Sequence, residues 1–102
     1  TFHNQGMSPC VYSLSSRRNG SLYIGMTTDI RRRVREHHAS IVRYTSRYRI
    51  RRLVYLEFHD TIEDALIRER RMKEWLRSWK IALIEGANPD WDGLTRQFAA
   101  ID

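Results

Sequence analysis

Asn19-Gly20 limits the fold of this chain more than any other dipeptide in it. It separates two short segments of strand character, an alternating run from Pro9 to Leu14 and a return from Ser21 to Gly25. Both residues accept the positive φ that a tight hairpin requires and that most side chains resist. Val11–Leu14 and Leu22–Ile24 are therefore expected to pair antiparallel, and the rest of the chain must cover them.

Thr28 or Asp29 can cap a helix, which is expected over Ile30 to His38 or Ala39. On a 100° wheel Ile30, Val34, His37 and Ile41 share one face. Arg31, Arg32, Arg35 and Glu36 point outward, and Arg33 falls at the edge of the apolar stripe. Ser40–Arg49 is polar and aromatic and reads as a loop. Arg52–His59 returns to strand character and is the candidate for the central strand. Thr61 and Asp64 form a variant capping box, with Glu63 and Asp64 suited to the positive end of a helix dipole. That helix is expected from Ile62 to about Arg77, with a break at Ser78 and a second helix from Trp79 to Glu85. Gly86-Ala87-Asn88-Pro89 ends it. The order β-β-α-β-α-α gives an α/β (α+β) domain, a three-stranded antiparallel sheet flanked by helices. With 102 residues this is one domain. Thr1–Gly6 lacks pattern and reads as an appended remnant before Met7, and residues 95–102 read as a C-terminal tail.

Charge narrows the function. The net charge is +6, and sixteen of the eighteen cationic residues are arginine, Lys73 and Lys80 being the two lysines. Guanidinium groups grip phosphate oxygens bidentately, so this bias points to a nucleic-acid backbone; a generically basic surface or arginine-favouring codons is the alternative. A single cysteine, Cys10, excludes an internal disulfide and a cysteine-based zinc site, and fits a reducing cytoplasm. No apolar run approaches membrane-spanning length and no segment reads as a secretory signal.

Three groups of residues invite a chemical reading. Glu69 lies in the middle of the face formed by Ile62, Ala65, Leu66, Met72 and Leu76. An ionised carboxylate turned inward costs several kcal/mol, in order of magnitude, unless it is compensated. A buried salt bridge to an arginine would do so, and so would a divalent metal at the floor of a cleft. His37 lies between Ile30 and Ile41 and reads as a core histidine, yet Arg33 stands one turn before it. A cation beside a titratable imidazole at a sheet edge suits phosphoryl-transfer chemistry. Tyr12 and Tyr23 are packing residues on one reading. On the other, cross-strand pairing sets both hydroxyls at one end of the sheet.

Cys10-Val11-Tyr12, Tyr23-Ile24-Gly25, Arg33, His37 and Glu69, in that order and at that spacing, resemble the GIY-YIG nuclease family. The likeness runs from Ser8 to about Leu94, making residues 7–94 a GIY-YIG-like domain. It is strongest to the small stand-alone bacterial members related to the nuclease half of the DNA-repair excinuclease. Two departures stand out. Cys10 and Val11 replace the glycine and isoleucine of the first signature. The asparagine found about twelve residues after the glutamate in many members falls near Ile81, and Asn88 is too far on to be assumed equivalent.

The resemblance implies an endonuclease that hydrolyses DNA phosphodiester bonds and leaves a 5′ phosphate and a 3′ hydroxyl. It implies one magnesium or manganese ion on Glu69, and Arg33 at the scissile phosphate. Tyr12 is then the candidate for orienting or deprotonating water, with Tyr23 and His37 able to share the task. Arg31, Arg32, Arg35, Arg43, Arg47 and Lys80 would hold the backbone. Tyr44 and Tyr48 would stack on unpaired bases, or serve in packing. Single-stranded and branched DNA both suit such a surface. A non-cleaving nucleic-acid-binding module and a protein-interaction domain are the competing readings.

Overall fold

The fold comes from a computed structural model that describes residues 8–39 and 47–95. Its elements are β1 (Cys10–Ser15), β2 (Leu22–Thr27), α1 (Ile30–His38), β3 (Arg52–Phe58), α2 (Ile62–Glu74) and α3 (Arg77–Ala87). The strands form one antiparallel sheet in the order β2-β1-β3. Tyr12 pairs with Gly25, Ser13 with Ile24 and Leu14 with Tyr23.

The sheet separates two cores. On one face Cys10, Tyr12 and Leu14 pack with Ile30 and Val34 of α1 and with Ile50 and Leu53. On the other, Val11, Ile24, Val54 and Tyr55 pack with Ala65, Met72, Ile84 and Trp91. The period of two along β1 thus sends Tyr12 towards α1 and Val11 towards α2 and α3. Asp29 caps α1 by accepting from the Arg32 N–H at 3.2 Å, and Thr61 caps α2 by accepting from the Asp64 N–H at 3.1 Å.

Several local expectations change. The central strand is β1, buried along its whole length, while β3 takes an edge and leaves Arg52 and Phe58 to solvent. The hairpin connection spans Ser16 to Ser21, closed by Gly20 N–H donating to Arg17 O at 2.8 Å; only Asn19 takes a positive φ, 57°. The helix break falls at Trp75-Leu76, both in extended backbone, and not at Ser78. Trp75 turns onto the second core there, and Leu76 is left 62% exposed rather than inward. Ile62 is also exposed, so the inward stripe of α2 is narrower than the wheel suggests. Arg47, expected in a loop, is helical, and Ile41, Arg43 and Tyr44 lie outside the described residues.

Candidate active site

The hairpin and α1 bring four of the expected residues together. Their meeting depends on Gly25. A Cβ there would stand 2.5 Å from the Tyr12 hydroxyl and 2.9 Å from the Tyr23 ring, so only glycine lets both rings lie across the strand pair. The ring centroids of Tyr12 and Tyr23 are 6.1 Å apart, and that of His37 lies 5.8 Å from the first and 5.3 Å from the second.

Polar contacts run through this cluster in a line. Arg33 Nε donates to the Tyr12 hydroxyl at 3.4 Å, and the hydroxyl lies 3.1 Å from His37 Nε2. The hydroxyl accepts from the guanidinium, and the direction of its second contact follows the tautomer of His37. Burial, and then the neighbouring Arg33 charge, push His37 down to about 4, so the imidazole is neutral at ordinary pH. Burial pushes the Tyr12 phenol up, against the hydrogen bond from Arg33, so it too is neutral. Tyr12 and His37 have no exposed surface. Arg33 is the member that reaches water, its side chain about one-third exposed, and Glu36 holds its Nη1 at 2.9 Å.

Glu69 stands on α2, across the sheet from α1. Its side chain is 17% exposed, and its partner is Lys73 Nζ, 3.0 Å from Oε2. An arginine is the compensator that the composition favours; the structure supplies the lysine one helical turn on. A cleft opens at the free edge of β2. Leu22, Tyr23 and Ile24 line its volume of about 240 Å³ together with Lys73 and Lys80. Lys80 is fixed on the α2–α3 junction by donating to Lys73 O at 3.3 Å.

The other expected contact residues are dispersed. Arg32 and Arg35 are exposed on α1, and Arg32 lies 3.8 Å from Glu36. Arg31 is half-buried rather than outward. Tyr48 is 48% exposed, with the Arg47 guanidinium 5.6 Å over its ring. Asn88 is occupied structurally, donating to Val54 O at 3.0 Å and Asp92 O at 2.9 Å. Lys73 and Glu36 are the residues that sequence reasoning passed over. Their spacings from Glu69 and Arg33, four and three residues, are the signal that could have found them.

A β-β-α-β-α-α sheet with two strand tyrosines, a helix arginine and a histidine clustered against Gly25 defines a known class. The GIY-YIG catalytic domain matches residues 8–82, and the chain belongs to that family. Within it, the chain is similar to small stand-alone proteins of the UPF0213 group. One from Haloquadratum walsbyi is 46% identical over 66 residues, 64% of this chain and 74% of that protein. One from Staphylococcus aureus is 38% identical over 68 residues, 66% of this chain and 83% of that protein. The solution structure of a UPF0213 protein from Bacillus halodurans superposes with a TM-score of 0.55 at 30% identity, covering 88% of this chain and 96% of that one.

GIY-YIG nucleases generally use divalent metal ions. Among the described residues no three His, Cys, Asp or Glu side chains gather as an ion-binding group. Glu69 is nevertheless a fitting single donor. It is a hard carboxylate, largely withdrawn from water, that already draws a cation onto one oxygen. An ion of this kind takes one protein carboxylate when waters and substrate phosphate complete its shell. Among the described residues no helix is long and apolar enough to cross a membrane.

Proposed function

We propose that this chain is a cytoplasmic metal-dependent endonuclease that hydrolyses DNA phosphodiester bonds, leaving a 5′ phosphate and a 3′ hydroxyl. The observation that carries the reading is the line Arg33–Tyr12–His37, which fixes a guanidinium at the rim of a buried aromatic cluster. Arg33 stays charged at all working pH and meets the charge that builds on the phosphate oxygens. Tyr12 accepts from Nε and so orients that guanidinium. His37, neutral, holds the Tyr12 hydroxyl at its Nε2. Tyr23 is half-buried where Tyr12 is fully buried, so it is the phenol that meets the attacking water, with Tyr12 behind it. Glu69 is the residue that holds magnesium or manganese, which when bound supplies Lewis-acid stabilisation of the leaving 3′ oxygen. Arg32, Arg35, Arg47 and Lys80 hold the backbone, and Tyr48 stacks on an unpaired base in single-stranded or branched substrates.

The burial of Tyr12 and His37 also favours a second reading, a nucleic-acid-binding module that no longer cuts, because neither side chain reaches solvent. Incubating wild type, Glu69→Ala and Arg33→Ala with supercoiled, single-stranded and branched DNA, with and without magnesium or manganese, separates the two. Metal-dependent cleavage is expected from wild type, with binding kept and cleavage lost in Glu69→Ala. Arg33→Ala should lower rate far more than affinity, since it removes one charge among many. Undiminished cleavage by Glu69→Ala overturns the role of Glu69, and binding without cleavage on every substrate selects the second reading.

A further inference from the structure

Glu69 faces inward, but the cation that answers it is not fixed in place. Lys73 reaches Oε2 from one turn away with half of its own side chain in water. An ion pair of that kind contributes at most about 1 kcal/mol, so it is readily exchanged. The same lysine lines the cleft at the edge of β2 beside Tyr23 and Lys80. Its ammonium is a point charge on a flexible stem, able to serve a carboxylate in one rotamer and a phosphate in another.

We propose that Lys73 is a placeholder cation: it neutralises Glu69 in the free protein and turns into the cleft onto a substrate phosphate, beside Lys80, when a divalent ion takes its place on the carboxylate. This rests on the metal-dependent reading above and deepens it. Lys73 cannot serve both groups at once. A phosphate that draws it away frees Glu69, and an ion that releases it adds a cation to the phosphate subsite. Metal and nucleic acid therefore bind with positive, reciprocal coupling. Glu69 without nucleic acid is a poor metal site, which keeps the ion off until substrate is present.

Free manganese is followed by electron paramagnetic resonance for wild type, Lys73→Gln and Glu69→Gln. Each is measured alone and with a single-stranded phosphorothioate oligonucleotide that resists cleavage, after correction for the oligonucleotide's own ions. Alone, Lys73→Gln should bind manganese about fivefold more tightly than wild type. The oligonucleotide should tighten binding to both proteins, because phosphate completes the ion's shell, but by about fivefold more in wild type than in Lys73→Gln, where there is no lysine to release. Glu69→Gln should show neither effect. Equal manganese affinity in wild type and Lys73→Gln, with Glu69→Gln still weaker, overturns the placeholder role and leaves the metal reading standing. Manganese binding indifferent to Glu69→Gln under every condition overturns both.

Discussion

Two carboxylates face the α2 side of the sheet, and their surroundings could hardly differ more. Glu57, on β3, is enclosed. Arg68 grips it with two bonds, Nε to Oε2 at 2.8 Å and Nη2 to Oε1 at 3.2 Å. The Tyr55 hydroxyl donates to Oε1 at 2.6 Å, and His59 Nε2 lies 2.7 Å from Oε2. The Arg68 guanidinium is itself covered by the Trp75 ring at 5.1 Å. Glu69, similarly withdrawn from water, is met among the described residues by one flexible lysine. A carboxylate whose lone pairs are all taken by fixed donors is a joint between elements, here β3 and α2. One left with an exchangeable partner beside a cleft can still take up a ligand.

The largest expected effects test that contrast by substituting each carboxylate with its amide. Glu69→Gln should reduce metal-dependent cleavage by about a thousandfold or more, as loss of the sole protein donor to a catalytic ion does. Its unfolding free energy should move by less than about 1 kcal/mol. Glu57→Gln should do the reverse. It leaves Arg68 without its bidentate partner and should cost about 2 kcal/mol, with cleavage retained wherever the protein stays folded. Denaturant melts and cleavage rates on both variants decide it; a stability loss from Glu69→Gln as large as that from Glu57→Gln breaks the distinction.

The sequence displayed one half of this contrast and concealed the other. The strand pairing, the Asp29 cap and the Ile30–Val34–His37 face follow from short-range periods, and the structure keeps them. Glu69 was visible as a charge on an apolar stripe. Its lysine was equally near, but an excess of arginines made an arginine the natural partner. Glu57 gave no sign, because Arg68 joins it from another element, eleven residues on, and no helical or strand period links the two. The break at Trp75-Leu76 was hidden for a related reason. Neither residue is a helix breaker, and it is the packing of Trp75 on the second core that turns the chain. The union of Tyr12 with His37 was suggested by resemblance, but its geometry depends on Gly25 leaving room for the rings.

Acid should unravel the two regions in separate windows. His37 is held near 4 when folded, against about 6.5 for an unperturbed histidine. Between those values the unfolded chain binds a proton that the folded chain refuses, so stability falls as pH drops from about 6.5 to 4 and levels off below. The shift corresponds to at most about 3 kcal/mol. Burial raises the Glu57 carboxyl, but hydrogen bonds from Arg68, Tyr55 and His59 outweigh it and leave it below the usual carboxylate range. Its contribution is present above the ordinary value and is lost as pH falls through the depressed one, beneath the histidine window. Urea midpoints from pH 7 to 3 should therefore decline in two stages. His37→Gln, whose side-chain amide can still bond Tyr12 in either direction, should abolish the upper stage alone. Persistence of that stage in His37→Gln would place the titrating group elsewhere.

The smallest change is the most discriminating, because it is chemically the same on both sides. Tyr12→Phe and Tyr55→Phe each remove one buried hydroxyl. Tyr55 donates to a carboxylate that keeps Arg68 and His59, so its loss should cost about 1 kcal/mol. Tyr12 bridges Arg33 and His37, and its loss leaves Nε2 of a buried imidazole without that partner, at a comparable cost of about 1 kcal/mol. Stability therefore does not separate the two variants; activity should. Tyr55→Phe leaves the β2 edge untouched and should cleave at the wild-type rate. Tyr12→Phe frees the Arg33 guanidinium to wander from its bond at the rim, and should cut the rate by about tenfold with affinity for DNA unchanged. Equal rates in the two variants would mean that Arg33 needs no orienting bond from Tyr12, and the buried line would then be a joint of the same kind as Glu57.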